Sequence, residues 1–215
     1  MAAPEAAPEG ASRDRSRSPR GSGAPDSFIG LDFDCTITIR HYYKCIAEKL
    51  LGKQVFSHPH SAVFNAWLKR HRVNLEVPEV PDSDHWMVSG VERLTKQLGE
   101  KKFKEMIREV FLGGEERIQE LTEWFTKKTN DGISFAIITA GVASTVSMAL
   151  EAVPEWDRFF PTDLVLDLSG SRHQVLSVTG QKALMLRDLR PTATRLVLVD
   201  DSLSVGPRSK PGKHL

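Results

Sequence analysis

Two carboxylates two residues apart, Asp32 and Asp34, are the most informative feature of this sequence. They follow the apolar run Phe28–Leu31 and precede Cys35 and Thr36. A buried parallel strand has a near-continuous apolar sequence, and ligand sites in open α/β sheets lie beyond the carboxyl ends of the strands. Residues i and i+2 of an extended segment project to the same side, so the two carboxylates could share one metal ion or one substrate. Such a pair repels unless a cation or an acid–base role separates the two protonation states.

Three further groups of polar residues follow along the chain. An apolar run over 134–138 ends at a threonine, a lysine begins an amphipathic stretch after the flexible segment 179–181, and an apolar run over 195–199 ends in a second acid pair. The order is therefore acid pair, hydroxyl, lysine and acid pair, and three of the four groups lie at predicted strand ends. The residues concerned are Thr139 with Ala140 and Gly141, Lys182, and Asp200 with Asp201.

This order and placement resemble the four motifs of the haloacid dehalogenase-like superfamily, most of whose members are magnesium-dependent phosphatases and phosphotransferases. The resemblance extends from about Phe28 to Ser202. It implies an α/β fold with a HAD-like Rossmannoid core, in which a parallel sheet carries helices on both faces. It also implies an α-helical cap, inserted after the first motif, that closes over the site and selects the substrate.

The resemblance assigns catalytic roles to four residues. Asp32 would be the nucleophile that forms an aspartyl-phosphate, and Asp34 would be the general acid and then the general base. Thr139 would contact phosphate oxygens, and Lys182 would neutralise charge on the phosphoryl group as a point cation.

The resemblance also implies a cofactor and a substrate-binding loop. The cofactor would be Mg²⁺, which prefers oxygen ligands and takes only one or two carboxylates from protein. Its ligands would be Asp32, the backbone carbonyl of Asp34, Asp200 and Asp201. The substrate phosphate would meet backbone amides in a nest-like turn. The substrate-binding residues would be Phe33 and Cys35 through their amides, Thr36 as the brace of the loop, and Ala140 and Gly141.

Composition limits the classes of partner. The chain has 215 residues, 40% of them hydrophobic, which suits one domain with an insertion. A formal net charge of +1 gives no electrostatic reason to expect nucleic acid or an anionic membrane. The two cysteines, Cys35 and Cys45, lack the spacing of a zinc site, which favours a reducing, cytoplasmic location. We also expect no membrane span and no signal peptide, because no apolar stretch is long enough and the start has no hydrophobic block.

Both ends of the chain are predicted to be disordered. Residues 1–26 have no large apolar side chain after Met1, so they cannot bury enough surface to offset chain entropy. Four arginines there surround Ser16 and Ser18, but acids in the same segment cancel their charge. We therefore favour a solvated tail over a phosphorylated or RNA-contacting segment. Residues 206–215 are rich in Pro, Gly and Lys, and they leave no room for the strand–helix unit that usually follows the last acid pair.

The middle of the chain predicts a helical insertion. Nearly a hundred residues separate Thr36 from the run at Phe135, far more than one crossover needs. We predict a cap over 40–112 and a catalytic core over 27–39 and 113–205. Gly113 and Gly114 could form a hinge, although ordinary helix capping is favoured. Apolar residues with helical spacing form four stripes that begin at Tyr42, Val63, Met87 and Phe103, and a further helix is predicted over Glu115–Lys128.

Polar residues of the insertion have two interpretations. Arg40, His41, Tyr42 and Lys44 follow the first acid pair and could form a polar lip that recognises the leaving group, or a solvated face of the first helix. Both interpretations stay open. Loop positions are predicted for His58 and His60, which lack metal-site spacing, and cap-core positions for Trp67 and Trp86.

These observations lead to one principal function and two alternatives. The resemblance implies a magnesium-dependent phosphohydrolase that cleaves the phosphate monoester of a small metabolite. A phosphotransferase or phosphomutase would use the same aspartyl-phosphate, and a catalytically idle interaction protein would keep the fold alone. A dehalogenase is disfavoured because dehalogenases of this kind lack the second acid, here Asp34. The sequence identifies neither the substrate nor the oligomeric state.

Overall fold

A four-stranded parallel sheet forms the centre of the protein. The computed structural model describes residues 26–51, 57–73, 86–171 and 177–201. Within these ranges the strand order is β3–β2–β1–β4, and every pairing is parallel. The α/β fold predicted from the sequence is confirmed, and it is consistent with a Rossmannoid core. The strands are β1 (Ser27–Leu31), β2 (Ile133–Thr139), β3 (Val165–Asp167) and β4 (Arg195–Val199).

Helices connect the strands of the sheet. None of the helices in the described ranges has both the length and the apolar character that a membrane span requires. The predicted helices of the insertion and the helix before β2 are confirmed. The α-helices are α1 (Tyr42–Leu51), α2 (Ser61–Arg70), α3 (Trp86–Leu98), α4 (Glu100–Met106), α5 (Glu115–Asn130), α6 (Ala143–Leu150) and α7 (Val178–Leu189).

The two faces of the sheet are buried against different helices. One face, which includes Phe135 and Ile137, packs in a large aromatic-rich core with α5, α6 and the helices of the insertion. The other face, which includes Phe28 and Ile138, packs against Leu186 of α7. A parallel sheet needs cover on both faces because its central strands are apolar on both sides. Helix α7 is therefore held directly over the centre of the sheet.

The helical insertion leaves the core and returns to it at one place. The Ile39 amide donates to the Phe111 carbonyl oxygen at 2.8 Å, and Arg40 Nη1 donates to the Val110 carbonyl oxygen at 2.5 Å. The segment Ile107–Phe111 forms a wider helical turn after α4. The boundaries at 40 and 112 and the role as a cap stay predictions. Of the two ends predicted to be disordered, 1–26 and 206–215, only Asp26 lies within the described residues, where its carbonyl oxygen accepts from the Thr194 amide at 3.0 Å.

Two glycines precede α5. Gly113 and Gly114 have φ angles of 89° and 90°, in the region where side chains are strained, and Gly114 occupies the position just before the first turn. Gly113 follows Leu112, the C-cap residue of the helical segment Ile107–Phe111, and the Gly114 amide donates to the Arg108 carbonyl oxygen at 2.8 Å. The pair therefore caps the end of one helix, as predicted, and precedes the start of the next. A hinge at this position stays a prediction.

Helix α7 begins earlier than the sequence suggests. Its first residue is Val178, so the segment 179–181, predicted to be flexible, forms the first turn instead. The Ser177 hydroxyl accepts a hydrogen bond from the Gly180 amide at 3.0 Å and caps this turn. The cap overrides the low helix propensity of Gly180. As a result, Lys182 lies in the interior of a helix, one turn from its start.

Gly30 allows α7 to pack closely on β1. A Cβ atom at this position would lie 3.0 Å and 3.1 Å from the two methyl groups of Leu186 and 3.3 Å from Ile138 Cδ1. Leu186 is 2% exposed, so it has little space into which to move.

We predict that Gly30→Val lowers the free energy of unfolding by about 1–3 kcal/mol, the usual cost of overpacking a well-filled core. Urea denaturation measures the loss. Ser134→Val is the matched control, because it adds the same side chain at an exposed position of β2. Equal stability of the two variants would contradict close packing at Gly30.

Candidate active site

The candidate site lies where the strand order changes direction. The chain passes from β1 to β2 and β3 on one side, and β4 then pairs on the other side of β1. Ligands in open α/β sheets bind beyond the carboxyl ends of strands at such a switch point. Asp32 directly follows β1 and Asp200 directly follows β4. The Asp32 amide donates to the Val199 carbonyl oxygen at 2.8 Å, which holds the two strand ends together.

A buried lysine joins the two strand ends. Lys182 Nζ lies 2.8 Å from Asp32 Oδ1 and donates a hydrogen bond to Asp200 Oδ2 at 2.9 Å. Lys182 is only 2% exposed, and both aspartates are also buried. Lysine is almost never fully buried unless it is paired. Because Lys182 extends from α7, the packing of this helix on the sheet sets the position of the ammonium.

Three carboxylates form a group that fits a metal ion. Asp32, Asp200 and Asp201 each offer an oxygen, and these atoms lie within 4.8 Å of one another. Asp32 Oδ1 is buried, and Lys182 Nζ lies 2.8 Å from it. Lys182 lies within ion-pair distance of Asp32 and Asp200, and the Asp201 carboxylate completes the group. An oxygen-only donor set of three carboxylates fits Mg²⁺.

The environment of Asp32 disfavours its charged form. Burial raises the pKa of Asp32 from an ordinary value of 3.8 to about 6, although the hydrogen bond and the charge of Lys182 and the Phe33 amide oppose the rise. A bound cation would favour the carboxylate. Asp32, the nucleophile predicted from the sequence, therefore depends on nearby positive charge to be ionised.

The second acid of the first motif has different neighbours. Asp34 Oδ1 accepts a hydrogen bond from the Tyr43 amide at 3.2 Å, in the first turn of α1. Asp34 Oδ2 lies 3.1 Å from His41 Nδ1. Both contacts hold the Asp34 carboxylate beside the start of α1. The carboxylate of Asp34 is outside the three-carboxylate group, and the predicted contact of its backbone carbonyl with a metal stays a prediction.

The loop Phe33–Ile37 is braced by a threonine that the sequence analysis did not single out. Thr38 Oγ1 accepts a hydrogen bond from the Cys35 amide at 3.0 Å and lies 3.0 Å from the Phe33 carbonyl oxygen. Cys35 has a φ angle of 61°, which lets the chain turn sharply after Asp34. Thr36 contributes through its carbonyl oxygen, which accepts from Arg117 Nη2 at 3.3 Å.

The backbone amides predicted to bind phosphate are engaged within their own loops. The Phe33 amide bonds to Asp32, and the Cys35 amide bonds to Thr38. The Gly141 amide donates to Thr139 Oγ1 at 2.9 Å, and Thr139 is fully buried at the end of β2. Phosphate binding by these groups, which would replace such bonds, stays a prediction.

A cavity of about 430 Å³ is lined by most of the residues predicted to form the site. This volume suits a small-molecule ligand. Phe33, Cys35, Thr36 and Asp200 do not line it. The predicted residues on its wall are Asp32, Asp34, Thr139, Ala140, Gly141, Lys182 and Asp201, and the sequence analysis missed Tyr43, Ser177, Val178 and Thr179.

The residues proposed for a polar lip divide into two groups. His41 and Lys44 line the cavity. Tyr42 is instead buried in the core, and Arg40 binds a carbonyl oxygen at the base of the insertion. His60 is in the loop before α2, as predicted, and its Nδ1 accepts from the His41 amide at 3.1 Å.

Comparisons with known proteins give little further information. No family model matches this chain, and no curated protein matches it. One similar solved structure is a phosphoserine phosphohydrolase-like protein from Francisella tularensis subsp. tularensis SCHU S4, at 16% sequence identity. The match covers 80% of this chain and 76% of that chain, with a TM-score of 0.36. At this distance neither residues nor activity can be transferred between the two proteins.

We predict that the raised pKa of Asp32 makes the metal-free protein less stable above pH 6. As pH rises from 3.8, the unfolded state loses this proton first, so stability falls until the folded group ionises near 6. In EDTA, Asp32→Asn should therefore be more stable than the wild type at pH 7.5, by up to about 3 kcal/mol. The difference should shrink towards pH 4.5.

Urea denaturation at several pH values measures this difference. Asp131→Asn is the control, because Asp131 is exposed at the end of α5. A difference for Asp32→Asn that does not change with pH would refute the assignment of burial as the dominant effect.

Proposed function

We propose that the protein is a magnesium-dependent phosphohydrolase that cleaves the phosphate monoester of a small metabolite through an aspartyl-phosphate on Asp32. The observation that carries the proposal is the buried Lys182 between Asp32 and Asp200, at the switch point of the sheet and at the wall of the cavity. The resemblance of the four sequence motifs to haloacid dehalogenase-like phosphatases supports the same conclusion.

The charges at the site suit a phosphate ester. Anionic oxygens on the ester repel a nucleophile, so catalysis of phosphoryl transfer depends mainly on positioning and charge neutralisation. Lys182 supplies one buried positive charge. Asp32, Asp200 and Asp201 would hold Mg²⁺, which would supply charge neutralisation at the phosphoryl oxygens when bound.

The first step transfers the phosphoryl group to the protein. A carboxylate oxygen of Asp32 attacks phosphorus, the bond from phosphorus to the ester oxygen breaks, and that oxygen takes a proton from Asp34. In the second step Asp34 accepts a proton from water, and the water oxygen attacks phosphorus. The bond between phosphorus and Asp32 then breaks, which releases inorganic phosphate and restores the Asp32 carboxylate and the protonated carboxyl group of Asp34.

The surroundings of the two acids support this division of roles. Asp32 has the buried ammonium of Lys182 beside it, which suits a nucleophile that must approach an anionic ester. Asp34 lines the same cavity but is held by the Tyr43 amide and His41, apart from the three-carboxylate group. Two carboxylates with different environments can act as nucleophile and proton carrier in one site.

We predict that the purified protein hydrolyses 4-nitrophenyl phosphate only when Mg²⁺ is present. EDTA should abolish the release of nitrophenolate, and added Mg²⁺ should restore it. Asp32→Asn should be inactive under every condition, whereas Asp131→Asn, at an exposed position, serves as the matched control. Full activity after exhaustive EDTA treatment would exclude a metal-dependent reaction.

A second prediction separates the roles of the two acids. General acid catalysis contributes about 10²–10⁴-fold, and less is needed when the leaving group is a stable anion. Asp34→Asn should therefore still be phosphorylated by an aryl phosphate but fail with alkyl phosphates. Because the base for the second step is also absent, labelled phosphate should accumulate on the protein.

Mass spectrometry of the trapped, labelled protein identifies the modified residue. Label on Asp32 in Asp34→Asn, and no label in Asp32→Asn, is the expected result. Equal losses for both variants with every ester, or label on another residue, would show that the roles are wrong. Transfer of label to an added alcohol in preference to water would favour a phosphotransferase.

A further inference from the structure

The cavity extends beyond the residues that act on phosphate. One end contains Asp32, Lys182 and Asp201, and another part of its wall comes from the start of α1. That part comprises His41, Tyr43 and Lys44. If the phosphate of a monoester lies beside Lys182, its alcohol portion occupies the rest of the cavity, whose wall includes the residues of α1. The inference below therefore rests on the proposed function.

Lys44 is the second lysine on the wall of the cavity, and its surroundings differ from those of Lys182. It is half-buried in the first turn of α1. The positive charge of Lys44 affects two neighbouring groups. It opposes the rise in the pKa of Cys35, and it contributes to the lowered pKa of His58. Among the described residues no carboxylate forms an ion pair with it, whereas Lys182 has two such partners.

The position of Lys44 relative to the phosphate-binding end is fixed by packing. Tyr43 lies beside Gly141, such that a Cβ at Gly141 would be 3.7 Å from Tyr43 Cδ2. The Tyr43 ring also packs edge-on against Trp86 of α3, with ring centres 6.2 Å apart. The start of α1 is thus held between the insertion and the loop after β2. The Lys44 backbone is consequently anchored while its side chain reaches the cavity.

We infer that Lys44 is a specificity-determining residue that binds a carboxylate on the alcohol portion of the substrate. A half-buried lysine on a cavity wall favours a ligand with a negative charge, because each charge then offsets the desolvation of the other. Lys44 offers a single point charge, which matches one carboxylate. The substrate class is therefore a small phosphate monoester of a hydroxy acid.

Two esters of similar size test the inference. Carboxymethyl phosphate carries a carboxylate, and 2-hydroxyethyl phosphate carries a neutral hydroxyl in its place. The wild type should favour the carboxylate ester in kcat/KM by roughly tenfold to a hundredfold, the usual range for a hydrogen bond to a charged group. In Lys44→Met this ratio should fall towards one, mainly through a higher KM for the carboxylate ester.

A matched variant and a binding measurement complete the experiment. Lys49→Met removes a charge from the same helix at a half-buried position that does not line the cavity, and it should keep the wild-type ratio. Binding of both esters is also measured by thermal stabilisation in the presence of Mg²⁺, which does not require turnover. Stabilisation by carboxymethyl phosphate should be lost in Lys44→Met and kept in Lys49→Met.

The outcomes separate this inference from the proposed function. Binding that depends on Lys44 without hydrolysis of any ester would support the inference and overturn the phosphohydrolase. Hydrolysis of both esters with no preference, or a preference that survives in Lys44→Met, would overturn the inference and leave the phosphohydrolase intact. If neither ester stabilises the wild type and neither is hydrolysed, the inference is wrong.

Discussion

The contact of one buried ammonium with two carboxylates is the interaction on which the site depends. Lys182 holds the ends of β1 and β4 at a distance where Asp32 and Asp200 would otherwise repel each other. Removal of Lys182 would leave two buried carboxylates side by side without this counter-charge, which costs far more than an exposed ion pair contributes. The ammonium can reach both carboxylates because α7 packs directly on Gly30. A glycine on the central strand is therefore as much a part of this site as the charged groups themselves.

The first motif shows how a short loop can give two identical side chains different properties. Asp32 directly follows the strand and is buried. The chain turns at Cys35, just after Asp34, and the Asp34 side chain accepts a hydrogen bond at the start of α1. The turn depends on Thr38, whose hydroxyl bridges the loop, and on Arg117, which donates to the carbonyl oxygens of Thr36 and Ile37. The path of the loop that carries both carboxylates thus depends on Thr38 and Arg117, which do not line the cavity.

The sequence was sufficient to predict the features that depend on apolar patterning. Strands β1, β2 and β4 are apolar runs that end in polar residues, so their carboxyl ends and the residues there could be recognised. Strand β3 was missed because it has three residues between short helical turns, too few to form a pattern. Features that depend on backbone geometry were also missed. The roles of Thr38 and of the Tyr43 amide follow from the turn at Cys35, and no side-chain pattern encodes that turn.

The two ends of the helical insertion lie next to each other, and this has a consequence for how much the length of the insertion can vary. Arg40 and Val110, which contact each other, are 70 residues apart in sequence, yet the sheet needs only that the two chain segments meet at this point. The entropic cost of closing a longer or shorter segment grows only with the logarithm of its length. Chain closure therefore constrains the length of the insertion only weakly. Its beginning is constrained by contacts instead, because the Tyr43 amide binds Asp34 and the Tyr43 ring lies beside Gly141. Variation in length is thus expected in the helices that follow α1, away from the residues that hold Asp34.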